Sequence, residues 1–137
     1  MFALRVLIAD DDHSQTFLLE MFLKKWGYEV TSTDAGDRAL QQLLGKNFPC
    51  IVILDGNMPG MGGVEVCREI RRFVSDPGTY VLMLTANAQL RDRQQALAAG
   101  ADAYMTKPYE PEELRAQLLE ASQLLQSKQT TSKNDRQ

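Results

Sequence analysis

The sequence predicts a doubly wound α/β domain, a five-stranded parallel sheet with helices on both faces. Three observations carry that expectation. The chain has 137 residues, close to the commonest domain size, and 44% of them are apolar, enough for one hydrophobic core and too many for a chain disordered throughout. Short aliphatic runs alternate strictly with helix-period patterns in five units of about 25 residues, as right-handed crossovers between parallel strands require. Several of these runs end abruptly on acidic or hydroxyl residues, as buried parallel strands do on reaching solvent.

Taken in order, Arg5–Ala9 is a β-branched and aliphatic run that stops at Asp10-Asp11-Asp12. Ser14 is the expected cap of a first helix in which Phe17, Leu18, Met21 and Phe22 recur at spacings of three and four, and Gly27 ends it. Asp12 is read as a solvated loop residue or cap, and His13 as a first-turn residue. A second strand is expected over 28–31. The second helix, 37–44, sets Ala39, Leu40, Leu43 and Leu44 on one face before Gly45. Cys50–Leu54 is the most apolar strand and ends on Asp55. A glycine-rich loop, 56–63, leads to a third helix carrying Val66, Cys67, Ile70 and Phe73, broken by Asp76-Pro77-Gly78. The fourth strand, 80–84, precedes a polar fourth helix over 87–99 that Gly100 closes. The fifth strand is 102–105, and the fifth helix, 111–126, aligns Leu114, Leu118, Ala121 and Leu125. Residues 1–126 therefore form the domain. Residues 127–137 contain no apolar side chain and are expected to be a polar, disordered tail or the start of a linker.

Composition narrows the function. Lys plus Arg number 15 against 18 Asp plus Glu, a net charge of −3, so no basic field exists to hold nucleic acid. Arg68, Arg71 and Arg72 lack interleaved aromatics and read as a solvated face. Cys50 and Cys67 lack the spacing of a disulfide framework or zinc knuckle, which fits a reducing, cytoplasmic setting. The apolar run before the aspartates is too short for a signal peptide or membrane span. His13 is the sole histidine, which excludes a zinc site or triad built on it. The loop glycines match neither a dinucleotide fingerprint nor a P-loop.

In a parallel sheet the functional crevice lies beyond the carboxyl ends of the strands, where strand order reverses. Asp10, Asp11 and Asp55 converge there if the first and third strands are neighbours. Carboxylates so close repel unless a cation joins them, and an all-oxygen set favours a hard ion such as Mg²⁺, which keeps room for phosphate oxygens. Mn²⁺ suits the same donors. Lys107 supplies a point cation for a phosphoryl group and Thr85 a hydroxyl. A carboxylate nucleophile needs no general base because it is ionised at neutral pH, so Asp55 is the natural nucleophile.

The segments VLIADDD, ILDGNMPGMGG, VLMLTA and GADAYMTKP, in that order, resemble the receiver domain of two-component response regulators over residues 4–126. The resemblance implies the flavodoxin-like strand order 2-1-3-4-5. It implies Asp55 as phosphoacceptor, Asp11 as direct metal ligand, Asp10 as a water-mediated one and Asn57 as donor of a backbone carbonyl. Thr85 and Lys107 would hold the phosphoryl group, Tyr104 would be the aromatic switch, and Asn57 and Asn87 occupy positions that tune dephosphorylation. Lys107-Pro108 would be a cis peptide. Gly56 departs from the pattern, which usually has a larger residue after the phosphoacceptor.

The expected function is a signalling module that takes a phosphoryl group from a sensor histidine kinase or phosphotransfer protein, catalysing its own transfer and dephosphorylation without turning over a separate substrate. Phe17, Leu18, Pro108 and Tyr109 are the candidate docking surface. The fourth helix, fifth strand and fifth helix would be read by a downstream protein or domain, and the pattern allows phosphorylation-dependent homodimerisation. The weakly apolar fourth helix has little area to bury, as a switching element requires. The alternatives are a Mg²⁺-dependent phosphatase with an aspartyl-phosphate intermediate, disfavoured because Asn57 stands where a second acid belongs, and an unphosphorylated interaction module, which leaves the acidic cluster without purpose.

Overall fold

The computed structural model describes residues 4–44, 50–73 and 79–135. Its elements run β1 (Arg5–Ala9), α1 (His13–Lys25), β2 (Glu29–Thr33), α2 (Gly36–Leu43), β3 (Cys50–Leu54), α3 (Gly63–Phe73), β4 (Thr79–Thr85), α4 (Leu90–Ala98), β5 (Ala103–Thr106) and α5 (Pro111–Asp135). The five strands form one sheet in the order β2-β1-β3-β4-β5, and every neighbouring pair is parallel. This is the expected α/β architecture and strand order.

Strand alternation divides the apolar residues into two cores. Leu7, Ala9, Val52, Leu54, Val81 and Met83 face α2, α3 and α4, where Ala39, Leu43, Val66, Cys67, Ile70 and Ala96 cover them. Val6, Ile8, Ile51, Ile53, Leu82 and Leu84 face the opposite way, against Leu19 and Leu23 of α1 and Leu114, Leu118, Ala121 and Leu125 of α5. β3 and β4 are buried along their whole length because both faces are covered, whereas the edge strands β2 and β5 are half-exposed.

The first helix differs from its sequence expectation twice. Asp12, as its reading as a loop residue or cap allowed, is the N-cap in place of Ser14: its extended backbone turns the carboxylate back to accept from the Ser14 and Gln15 amides at 3.1 and 3.2 Å. The buried stripe is Thr16, Leu19 and Leu23, while Phe17, Leu18 and Met21 are 65%, 48% and 56% exposed. Two stripes of this helix are spaced at three and four, and the less apolar one meets the sheet. Thr16 tolerates burial because its hydroxyl donates to the Asp12 carbonyl at 3.0 Å. Gly27 closes the turn after α1 with φ +95°, a conformation other side chains rarely adopt.

Other boundaries shift for local reasons. β2 begins one residue later than expected and runs to Thr33, in register with β1 from Arg5↔Glu29 to Ala9↔Thr33, because the Tyr28 amide is bonded to Leu23 at the helix end. Leu44 lies just past α2 and is exposed, as is Phe73, whose ring carries the Arg72 guanidinium at 5.4 Å. α4 starts at Leu90 rather than 87 because Asn87 is bound in a loop network. α5 continues past 126 to Asp135 where a tail was expected: no glycine or proline follows Pro111 within it to interrupt the hydrogen-bond ladder. The breaks expected at Gly45 and at Asp76-Pro77-Gly78 lie outside the described residues.

Arg71 is also not part of a merely solvated face. It donates through Nε to the Gly100 carbonyl at 2.9 Å, through Nη1 to the Thr79 carbonyl at 2.6 Å and through Nη2 to Asp102 at 2.6 Å. The same Asp102 oxygen accepts from the Val81 amide at 2.8 Å. α3, β4 and the α4–β5 connection are thereby joined at the amino end of the sheet. Among the described residues, no helix is long and apolar enough to cross a membrane.

Candidate functional site

Register brings the acids together. Ala9 pairs with Leu54 across β1 and β3, and the Asp55 amide donates to the Ala9 carbonyl at 2.9 Å, so the residues after each strand share one end of the sheet. Oxygens of Asp10, Asp11 and Asp55 all lie within 4.8 Å of one another. Asp10 is buried, Asp55 half-buried and Asp11 exposed. Three hard oxygen donors at this spacing, open to solvent on one side, suit a divalent cation that keeps part of its water shell. The donor set fits the expected metal.

Lys107 reaches in from the loop after β5. Its ammonium is 2.6 Å from Asp10 Oδ2 and 3.8 Å from Asp55 Oδ2, so it leans on Asp10 while facing the acceptor. The other Asp10 oxygen accepts from the Asp12 amide at 2.9 Å. Asp55 is held above the ordinary aspartate pKa chiefly by burial. The Asn57 amide, the Lys107 charge and the Thr85 hydroxyl oppose that shift, and the Asp10 charge adds to it. The Lys107-Pro108 peptide is cis, as the resemblance implied.

Thr85 ends β4, is 1% exposed, and accepts from the Asn87 amide at 3.3 Å. Asn57 donates its backbone amide to Asp55 Oδ1 at 3.3 Å and its side-chain amide to Asn87 Oδ1 at 3.3 Å. Tyr104, half-buried on β5, donates its hydroxyl to the Asn87 carbonyl at 2.5 Å. Asn87 thus touches Thr85, Asn57 and Tyr104 at once. The resemblance singles out Asn87, but not these contacts, because two of the three use its backbone.

The candidate docking residues divide. Phe17, Leu18 and Pro108 are at the surface. Tyr109 instead packs against the core under α1 and α5, and its hydroxyl is buried without a hydrogen-bond partner among the described residues. Burial raises both the Cys50 and Cys67 thiols to about 11, which leaves them unreactive. A cavity of about 500 Å³ lined by Arg5, Val30, Leu43 and Cys50 lies at the opposite end of the sheet from the acids.

Residues 6–119 match the response regulator receiver domain model. Over 117 residues the chain is 43% identical to the uncharacterized transcriptional regulatory protein YrkP of Bacillus subtilis, covering 85% of this chain and 48% of that protein. It is 37% identical over 123 residues to the transcriptional regulatory protein ResD of the same organism, covering 87% and 50%. The chain therefore spans about half the length of these two relatives. A CheY-like receiver domain protein from Methanospirillum hungatei superposes with a TM-score of 0.82 at 28% identity, over 95% of this chain and 99% of that one. The receiver domain of the sensor histidine kinase PA1611 from Pseudomonas aeruginosa, solved with a magnesium ion in its active-site cleft, superposes at 0.78 with 26% identity, over 90% and 98%. Fold, acidic cleft and sequence agree: the chain belongs to the response regulator receiver domain family, the signalling modules of two-component systems rather than metabolic enzymes.

Proposed function

We propose that Asp55 accepts a phosphoryl group from a phosphohistidine on a sensor kinase or phosphotransfer protein, and that the product is read at α4, β5 and α5. The observation that carries this reading is the convergence of Asp10, Asp11 and Asp55 with Lys107 at one end of the sheet. An ionised Asp55 oxygen bonds to phosphorus as the bond from phosphorus to the imidazole nitrogen breaks, and that nitrogen keeps the electron pair. Lys107 stands where it can neutralise a transferred oxygen while Asp10 holds its ammonium in place. Thr85 offers a hydroxyl to the same group. Asp10, Asp11, Asp55 and the Asn57 carbonyl would hold Mg²⁺, or Mn²⁺ in its stead, which supplies positive charge for the phosphoryl oxygens.

The Tyr104–Asn87 hydrogen bond supports the switching role, since any shift of Thr85 toward Asp55 moves the segment on which the tyrosine rests. α4 buries only Ala96, so its rearrangement disturbs little core. Phe17 and Leu18 form an exposed apolar surface on α1, and Pro108 lies on the Lys107 loop, so these residues are our candidate docking contacts. The buried, free thiols of Cys50 and Cys67 are in keeping with a reducing, cytoplasmic setting.

Acetyl phosphate supplied with Mg²⁺ tests the reading by intact mass and peptide mapping. The phosphoryl adduct is expected on Asp55 and should fail to form when the metal is chelated before acetyl phosphate is added. The same adduct in Asp55→Asn would overturn the assignment.

A further inference from the structure

Gly56 follows Asp55 directly, and the face where its side chain would stand looks at the acceptor's neighbours. A Cβ there would lie 3.2 Å from Thr85 Oγ1, 3.5 Å from Asn87 Nδ2 and 3.6 Å from Thr85 Cβ. Its backbone is not in the left-handed region, in contrast to Gly27, Gly60 and Gly100. Glycine at 56 therefore matters for space, not for conformation.

The loop has little freedom to retreat from an added side chain. The Gly56 carbonyl accepts from the Gly63 amide at 3.2 Å, and the Asp55 amide is tied to Ala9. A Cβ on Gly62 would come 3.1 Å from the Gly56 carbonyl oxygen, and one on Gly63 would collide with the Asp55 carbonyl oxygen. The peptide between Asp55 and Gly56 is thus clamped from behind. Across the gap, Thr85 is buried and β-branched, and its carbonyl accepts from the Lys107 amide at 2.8 Å, so its hydroxyl yields only by leaving its preferred rotamer. A side chain at 56 would be accommodated by displacing the Thr85 hydroxyl and the Asn87 side-chain amide.

We propose that Gly56 is a positioning residue for phosphoryl transfer: by carrying no side chain it lets the Thr85 hydroxyl and the Asn87 segment close on Asp55. The inference rests on the reading of Asp55 as acceptor and Thr85 as the hydroxyl that meets the transferred group. Its effect falls on the transfer step, because the contacts it controls lie on the Thr85 side of the acceptor and not among the Asp10 and Asp11 oxygens.

The test is the rate of Asp55 modification by acetyl phosphate in wild type, Gly56→Ala and Gly56→Val. The Asp55 oxygen bonds to phosphorus and acetate departs with the electron pair of the broken P–O bond. Misplacement of a few tenths of an ångström should lower the maximal rate about threefold in Gly56→Ala and about tenfold in Gly56→Val. The half-saturating concentrations of acetyl phosphate and Mg²⁺ should stay within about twofold of wild type, since uniform binding is not removed. Each variant's melting curve confirms folding, and Gly56→Ser replaces any that fails. The penalty of Gly56→Ala should shrink in a Thr85→Ser background, where the hydroxyl is no longer locked by β-branching; a general loss of structure would not do this. Unchanged maximal rates in both variants, a loss carried by Mg²⁺ affinity, or an equal penalty in both Thr85 backgrounds would overturn the proposal while Asp55 remains the acceptor. Failure of wild type to be modified at Asp55 would instead overturn the functional reading, and this inference with it.

Discussion

The two ends of the sheet solve opposite electrostatic problems. At the carboxyl end, Asp10, Asp11 and Asp55 crowd together with Lys107, whose closest partner among them is Asp10. At the amino end, the Arg71 guanidinium meets two carbonyls and the Asp102 carboxylate at 2.6–2.9 Å, and that carboxylate also takes the Val81 amide. One end leaves like charges unneutralised and the other matches its charges. A domain with both can hold a reactive cleft without losing its frame, since each end is fixed to the same buried β3 and β4.

The sharpest way to break this comparison is to remove the matched end. Arg71→Ala removes the donor to two carbonyls and leaves the Asp102 carboxylate only the Val81 amide among the described residues, and should cost about 2–3 kcal/mol, a figure kept low because the pair is a third exposed. Urea unfolding measures it; a loss under about 0.5 kcal/mol would mean the clasp is ornamental.

The opposite change at the other end should stabilise. Burial opposes ionisation of Asp55, so Asp55→Asn in metal-free buffer should raise the melting temperature by a few degrees, on the order of 1 kcal/mol. Millimolar Mg²⁺ should raise the wild-type midpoint by a similar amount and help Asp55→Asn less, because mass action favours the state that binds the ion. A melting curve indifferent to both changes would show that the acids do not strain the fold.

The smallest stability effect belongs to the exposed face of α1. Phe17→Ser should alter unfolding by less than about 0.5 kcal/mol, since the ring is 65% exposed, yet slow phosphotransfer from a partner kinase. Stopped transfer from the kinase, with acetyl phosphate still effective, would confine the defect to docking. Equal transfer rates would remove α1 from that surface.

The acidic end was more legible in the sequence than the frame. Asp10, Asp55, Thr85 and Lys107 sit at or just after strand ends, so strand periodicity alone aims them at one crevice. The buried face of α1 was not legible, because spacing at three and four fits both the Phe17 stripe and the Thr16 stripe, and only contact with the sheet chooses. Arg71 looked like its solvated neighbours because two of its partners are carbonyls brought near by tertiary folding. Asn87 was marked by the resemblance, but its backbone contacts to Thr85 and Tyr104 were hidden for the same reason. The extent of α5 was misjudged because polarity marks exposure, which is compatible with helix as long as nothing interrupts the backbone ladder.

That last point has a mechanical consequence. A helix of 25 residues is about 37 Å long, and its first four turns or so rest against the sheet through Leu114, Leu118, Ala121 and Leu125. The seated part is the longer one, and about 15 Å of helix follow Leu125. A tilt of about 5° in the seated turns, too small to open a void in a packed interior, moves the far end by about 1 Å relative to Leu125. The helix past Leu125 therefore carries any tilt of the seated turns outward, where a second protein surface would meet it.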